Sequence, residues 1–153
     1  MKFLCGPALV LLCVVAACAP GAKETPKAGS RMPASVMDPY LKIHDALAVD
    51  SLEGIRQNAG EIATAATALG APAMRIDTSA VQLAAAEDLD GARDRFGALS
   101  DAIITYATGL KLAMPDGVRT AFCPMVQKPW LQKGDTLENP YQGKAMPTCG
   151  DFR

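Results

Sequence analysis

Four sulfur-bearing residues near the C-terminal end of the chain are the ones most able to do chemistry. They lie in two short segments, CPM and MPTC. If the first segment is extended, Cys123 and Met125 present their sulfur atoms in one direction, because side chains two residues apart in a strand share a face. If the second makes a helical turn, Met146 and Cys149 also come together. Two such pairs facing each other predict a four-sulfur site.

Thiolates and thioethers are soft ligands that suit Cu(I) far better than Mg²⁺ or Ca²⁺. The sulfur residues therefore predict a copper ion as the bound species. A disulfide between Cys123 and Cys149 is the competing prediction. It would close a segment of 27 residues, which the chain-entropy model values at about 3–4 kcal/mol. The two chemistries are not fully exclusive, because reduction of a strained bridge would free both thiols as ligands.

The first 17 residues are typical of an export signal. Lys2 supplies a positive charge, and an apolar run of 15 residues follows from Phe3 to Ala17. This run is shorter than the roughly 18–20 residues that a membrane-spanning helix needs. It ends in VAAC, which resembles the bacterial lipobox and predicts lipidation of Cys18. We therefore expect a lipid-anchored protein of the cell envelope whose folded domain faces the periplasm.

This processing would leave one pair of cysteines. Cys5 and Cys13 would leave with the signal, and Cys18 would carry lipid, so Cys123 and Cys149 would remain together in an oxidising compartment. The charge balance also restricts the partners. Residues 38–118 contain 12 acidic and 6 basic side chains. Such an acidic body argues against nucleic-acid binding, which requires a basic face.

Apolar residues at three- and four-residue spacing predict an all-α fold, a four-helix up-and-down bundle. Asp38-Pro39 resembles a helix start, and the capping-box spacing from Asp50 to Glu53 predicts that the second helix follows at once. Asp88 is predicted to cap the last and longest helix. The predicted organisation is a signal peptide (1–17), a flexible tether (18–37), the helical bundle (38–117) and a lobe rich in Cys, Met and aromatic residues (118–153).

The C-terminal lobe is predicted to be small and irregular, with a possible two-stranded ribbon, and to pack on the bundle. Trp130 and Tyr141 either pack the lobe on the helices or form a partner-binding spot, since aromatic residues concentrate at interface hot spots. His44, the single histidine, lies on an apolar helix face, which is more typical of a hydrogen-bonded core residue than of a ligand. No triad, phosphate-binding glycine loop or zinc-type CxxC motif is present. We therefore predict that the protein is not an enzyme.

Several short motifs lie between about Tyr40 and Asp151. They are Arg93-x-x-Phe96-x-x-Leu99-Ser100, Cys123-Pro124-Met125, Trp130-Leu131, Asn139-Pro140-Tyr141-x-Gly143-x-x-Met146 and Thr148-Cys149-Gly150. Together they resemble domain-of-unknown-function family 3347. This family occurs in bacterial periplasmic lipoproteins and is fused to adaptor subunits of copper and silver efflux systems. The resemblance implies heavy-metal handling, and a metal efflux adaptor or another envelope protein as partner.

The function predicted from these observations is a non-enzymatic, membrane-tethered periplasmic domain that binds or helps to export a heavy metal, with copper expected. The alternative is an interaction module of the cell envelope that is stapled by a bridge between Cys123 and Cys149.

Overall fold

The computed structural model describes residues 25–153, so the predicted signal peptide and Cys18 lie outside the described residues. This part of the chain is mostly helical, with a small antiparallel sheet near the C-terminus. No helix within it is both long enough and apolar enough to cross a membrane. The helices are α1 (Ala34–Ala48), α2 (Ile55–Leu69), α3 (Met74–Ala84) and α4 (Leu89–Leu110), and the strands are β1 (Val118–Cys123), β2 (Lys128–Lys133) and β3 (Asp151–Phe152).

Consecutive helices pack against each other, α1 on α2, α2 on α3 and α3 on α4. Their inward faces have the predicted three- and four-residue spacing. In α1, for example, Tyr40, Ile43 and Leu47 are fully buried. Burial of these apolar faces is the main force that holds short helices in place. The predicted helical content is confirmed, and the up-and-down topology stays a prediction.

Helix α4 shows the clearest agreement between local sequence and structure. Asp88 is its N-cap, and its carboxylate accepts a hydrogen bond of 2.7 Å from Gly91 N. This contact satisfies one of the backbone N–H groups that a helix leaves unpaired at its start. The helix then runs for 22 residues and ends just before Lys111, whose φ of 54° is left-handed. The predicted cap is confirmed.

The predicted start of the folded domain at Asp38-Pro39 is wrong by several residues. Helix α1 begins at Ala34, and Pro39 lies inside it. Val36 and Met37 are fully buried, so the first turn of α1 belongs to the core. Their burial stabilises a helical turn that the local proline signal does not predict.

The predicted tether also ends earlier than expected. Met32 is buried, and its backbone N–H donates to Ala113 O at 2.9 Å, while Ala113 N donates to Ser30 O at 2.9 Å. Arg31 forms an ion pair of 2.7 Å with Asp116. The residues before α1 are therefore attached to the end of α4, and they are part of the fold.

The turn between α1 and α2 differs from the predicted capping box. Ser51 Oγ does accept a hydrogen bond from Glu53 N, at 3.0 Å. Helix α2 nevertheless begins only at Ile55, after Gly54, which has a left-handed φ of 72°. Asp50 also has a left-handed φ, 59°. The longer turn brings the Asp50 carboxylate to Arg93 of α4.

The sheet has the strand order β2-β1-β3, so the predicted ribbon, the β1–β2 hairpin, gains a third strand. In the hairpin Ala121 pairs with Trp130 and Cys123 with Lys128. Strand β2 contacts both α4 and α1, and it therefore carries the lobe onto the helices.

Candidate functional site

The two cysteines of the lobe lie side by side. Cys123 ends β1 and is fully buried, whereas Cys149 precedes β3 and is half-buried. The antiparallel pairing of Phe122 with Asp151 brings the two segments together. Both cysteines are free thiols, and they lie close enough for the Cys123 thiol to raise the pKa of Cys149.

The surroundings of Cys149 favour its neutral form. Partial burial raises the pKa of this thiol above its ordinary value, and the neighbouring Cys123 thiol and the Asp151 carboxylate raise it further. A thiol must lose its proton to bind a metal ion, so metal binding here would release protons and strengthen as the pH rises.

The raised pKa of Cys149 predicts a loss of stability in mild alkali. The folded protein holds this proton more tightly than the unfolded chain does. The resulting stability is therefore present below the unfolded-state pKa of about 8.5, and it is lost as the pH rises through the folded-state pKa. We expect the urea midpoint of the reduced protein to fall as the pH is raised above the unfolded-state pKa of about 8.5.

The Cys149→Ser variant is the control for this titration. It keeps the buried tyrosines, which also titrate in alkali, but it lacks the thiol. We expect the urea midpoint of this variant to fall less steeply in the first pH unit above the unfolded-state thiol pKa of about 8.5. Identical slopes for the two proteins would show that Cys149 is not the group responsible.

The structure corrects the local geometry assumed for the two methionines. Strand β1 ends at Cys123, and a turn over 124–127 follows, with Gln127 at a left-handed φ of 55°. Met125 therefore lies in a turn, not in an extended strand, and is 64% exposed. The segment predicted as a helical turn contains a 3-10 helix that ends at Ala145, just before Met146.

Met146 is nevertheless close to the thiol pair in the chain fold. Cys149 N donates to Met146 O at 3.2 Å, so one tight turn joins the two residues. Met146 is 41% exposed. The structure thus brings the two cysteines together, with Met146 one turn away, and places Met125 at the exposed tip of the hairpin. The four-sulfur ligand set stays a prediction.

Trp130 and Tyr141 pack the lobe on the helices. Trp130 is fully buried and Tyr141 nearly so. Their rings meet edge to face at 6.0 Å, and Tyr141 also contacts Phe96 of α4 at 6.1 Å. The predicted partner-binding spot is therefore corrected: neither ring lies on the surface, because both complete the core between the sheet and α4.

A buried chain of hydrogen bonds joins the sheet to α1 and α4. Leu131 N donates to Tyr40 Oη at 3.0 Å, the Tyr40 and Ser100 hydroxyls lie 2.7 Å apart, and Ser100 Oγ donates to Phe96 O at 2.9 Å. Tyr40 therefore donates to Ser100, and each hydroxyl both donates and accepts once. Buried polar groups that are fully paired in this way fix one arrangement of the elements.

Arg93 of α4 holds the loop that follows β2. Its Nε donates to Pro140 O at 3.0 Å, and its amino group contacts Leu47 O and the Asp50 carboxylate. This guanidinium lowers the pKa of the Asp50 carboxyl below its ordinary value. Gly143, which has a φ of 52°, lies directly against the ion pair of Arg93 and Asp50. A Cβ at this position would overlap the Asp50 carboxylate.

Asn139 positions Cys149, a role that the sequence did not indicate. Its buried side chain donates to Cys149 O, and its Oδ1 accepts from Tyr141 N at 2.8 Å. Its backbone N–H donates to Pro147 O at 2.6 Å. Asn139-Pro140 resembles an ordinary turn start in the sequence. Only the proximity of the motif to Cys149 in the chain could have suggested more.

Comparison with known families gives one match. A family described as "Protein of unknown function (DUF3347)" matches residues 36–114. The chain belongs to this family. The DUF3347 match covers nearly all of the four helices and ends before β1, so the thiol pair lies outside it. No match was found among curated proteins or among solved structures.

The DUF3347 region nevertheless includes residues that hold the lobe. Tyr40, Arg93, Phe96 and Ser100 all fall within it, and each contacts the sheet or the loop after it, directly or through the hydrogen-bond chain. The helices and the lobe are therefore one packed unit.

Proposed function

We propose that this chain is a membrane-tethered periplasmic domain, without enzymatic activity, that binds Cu(I) through Cys123 and Cys149. The observation that supports it is the proximity of two free thiols, one fully buried and one half-buried, that the pairing of Phe122 with Asp151 brings about. Two adjacent thiolates are the soft ligands that Cu(I) prefers. In this proposal the helices form an up-and-down bundle that carries the lobe, and a lipid on Cys18 anchors the domain.

The two cysteines would have different tasks. Cys123 is held by strand pairing on one side and by the core on the other, so its sulfur is a fixed ligand. Cys149 lies between a turn and β3 and is partly open to solvent, which gives an ion a route in and out. Met146, one turn from Cys149, is placed to add a thioether, and Met125 would join only if the hairpin turn moves.

This arrangement suits a protein that passes an ion to a partner. An accessible thiol can exchange its ligand with an incoming soft donor, while the buried thiol keeps hold of the ion. The partner proposed here is a metal efflux adaptor or another protein of the cell envelope. The family resemblance supports this choice of partner.

Cu(I) titration of the reduced protein tests the proposal. We expect Cys149→Ser to weaken binding at least about 100-fold, because removing even a group that only orients a ligand costs about 10–100-fold. Met146→Leu is expected to weaken binding about tenfold or less. Met74→Leu is the matched control, since Met74 is also exposed but lies on α3. Unchanged affinity in Cys149→Ser would end the ligand assignment.

The same proximity of the two thiols also favours the alternative, a disulfide-stapled interaction module. Oxidation would join β1 to the segment before β3 and close the lobe covalently. Thiol counting on protein kept in air separates the two functions. Two reactive thiols would rule out the disulfide. No reactive thiol before reduction and two after it would support the disulfide. A stapled module would dock through other residues than the buried Trp130 and Tyr141.

A further inference from the structure

His44 is buried in α1, and both of its ring nitrogens face an oxygen atom. Nε2 lies 2.9 Å from the backbone oxygen of Glu138, and Nδ1 lies 2.9 Å from Oδ1 of Asp45. Only 1% of the residue is exposed. The expectation of a hydrogen-bonded core histidine is therefore confirmed, but the contact at Nδ1 has a further consequence.

A neutral imidazole carries a hydrogen on only one of its nitrogens. A backbone carbonyl can only accept, so Nε2 must donate to Glu138 O, and Nδ1 of the neutral ring then has a lone pair. This lone pair points at a carboxylate oxygen of Asp45, which also only accepts. Two lone pairs at 2.9 Å repel each other unless a proton or a metal ion lies between them.

A third ligand lies beside this pair. The Glu138 carboxylate, His44 Nδ1 or Nε2 and the Asp45 carboxylate all have a ligand atom within 4.8 Å of one another. In a tetrahedral site, bonds of about 2.0–2.2 Å from one ion to nitrogen and oxygen place neighbouring ligand atoms about 3.3–3.6 Å apart. The Nδ1–Oδ1 distance of 2.9 Å is a few tenths of an ångström shorter. Asp45 and Glu138 are both exposed, so rotation of the two side chains can open the pair for an ion and complete the set.

Glu138 also supplies the support that metal-bound histidines usually have. Its backbone oxygen holds Nε2–H, which fixes the ring orientation and leaves Nδ1 free to bind. A cavity of about 410 Å³ borders the cluster and is lined by Asp45, Glu138, Lys144 and Pro147 among others. Two carboxylates outweigh the one ammonium of Lys144, so the cavity attracts a cation and has room for its water ligands.

We propose that His44, Asp45 and Glu138 bind a divalent cation of intermediate softness, such as Zn²⁺, completed by water. One imidazole and two carboxylates suit such an ion and not Cu(I). The site is made by α1 and by the loop that Asn139 and Arg93 hold, and it contains no sulfur. It therefore does not rest on the thiol pair, and either site can exist without the other.

His44 is the only histidine in the chain, so ¹⁵N NMR of its ring isolates this site from the cysteines. We expect the Nδ1 resonance to move as Zn²⁺ is added to the full chain, while Nε2 keeps its proton. Zinc bound only by the thiols would leave both ring resonances in place. Unmoved resonances at millimolar Zn²⁺, or a ring protonated on both nitrogens throughout, would overturn the proposal.

Carboxylate variants test the rest of the ligand set and leave His44 itself in place. Asp45→Asn and Glu138→Gln are each expected to weaken the Zn²⁺ effect on Nδ1 at least about tenfold. Asp38→Asn is the matched control, because Asp38 is an exposed acid on the same helix. Equal Zn²⁺ affinity in all three variants would show that the carboxylates are not ligands, even if the ring itself responded.

Discussion

Replacing Trp130 by alanine is expected to lower the free energy of unfolding by about 3–5 kcal/mol. The indole is fully buried, packs edge to face on Tyr141 and donates from Nε1 to Gln132 Oε1 at 2.9 Å. Gly150 closes the other side so tightly that a Cβ there would come within 2.7 Å of the ring. The substitution therefore leaves a cavity, because Gly150 has no side chain that could move in to fill it.

Urea unfolding followed by circular dichroism measures this loss, since the variant lacks the chain's single tryptophan. Met125→Ala is the matched control. Met125 belongs to the same lobe but is exposed, and surface substitutions usually change stability by less than about 0.5 kcal/mol. A loss below about 1 kcal/mol in Trp130→Ala would contradict the packing of the lobe on the helices described above.

Replacing Arg93 by methionine is expected to cost about 1.5–3 kcal/mol, the usual value of a hydrogen bond to a charged group. Methionine keeps most of the aliphatic packing but leaves Pro140 O without its donor. The contact of 3.4 Å to Leu47 O is also lost, although Leu47 O still accepts from Asp50 N. The substitution also removes the partner of Asp50. The lowered pKa of Asp50 gives stability that is present above its unfolded value and lost as the pH falls through its folded value. The difference between the two proteins should therefore shrink in acid.

Arg75→Met is the control for this comparison. Arg75 and Asp101 form a pair of 3.1 Å on the surface, with side chains 66% and 53% exposed. Exposed pairs of this kind contribute about 0–1 kcal/mol. Urea unfolding near neutral pH measures the loss for each variant. The midpoint, multiplied by the slope of the unfolding free energy against urea concentration, gives the free energy of unfolding. Equal losses in the two variants would mean that Arg93 is an ordinary surface residue and does not fix the loop.

The sequence predicted best where local signals and burial agree. Helix α4 has a side-chain cap at Asp88 and a regular apolar face, and both are found in the structure. Helix α1 shows the opposite case. Asp38-Pro39 is a good local start signal, but the burial of Val36 and Met37 extends the helix beyond it. Packing outweighs a local preference worth only about 1 kcal/mol.

The lobe was less predictable because it depends on pairing between distant residues. The sequence pointed to the two cysteines, yet their proximity depends on the register of Phe122 with Asp151. That register involves a two-residue strand, β3, which is too short for a periodic pattern. Glu138, whose backbone oxygen faces Nε2 of His44, is 94 residues away in sequence. Spacing within single elements cannot reveal either contact.

If the chain is anchored through Cys18, the attachment of the residues before α1 limits how far the domain can stand from the membrane. Thr25 Oγ1 donates to Leu69 O at 3.2 Å, so the chain contacts the folded body long before residue 38. If Cys18 carries the lipid, seven residue steps join it to Thr25, a reach of at most about 25 Å. A tether that continued to residue 38 would reach about 70 Å. The anchored domain would then rest close to the lipid headgroups, and only partners near the bilayer surface would reach it.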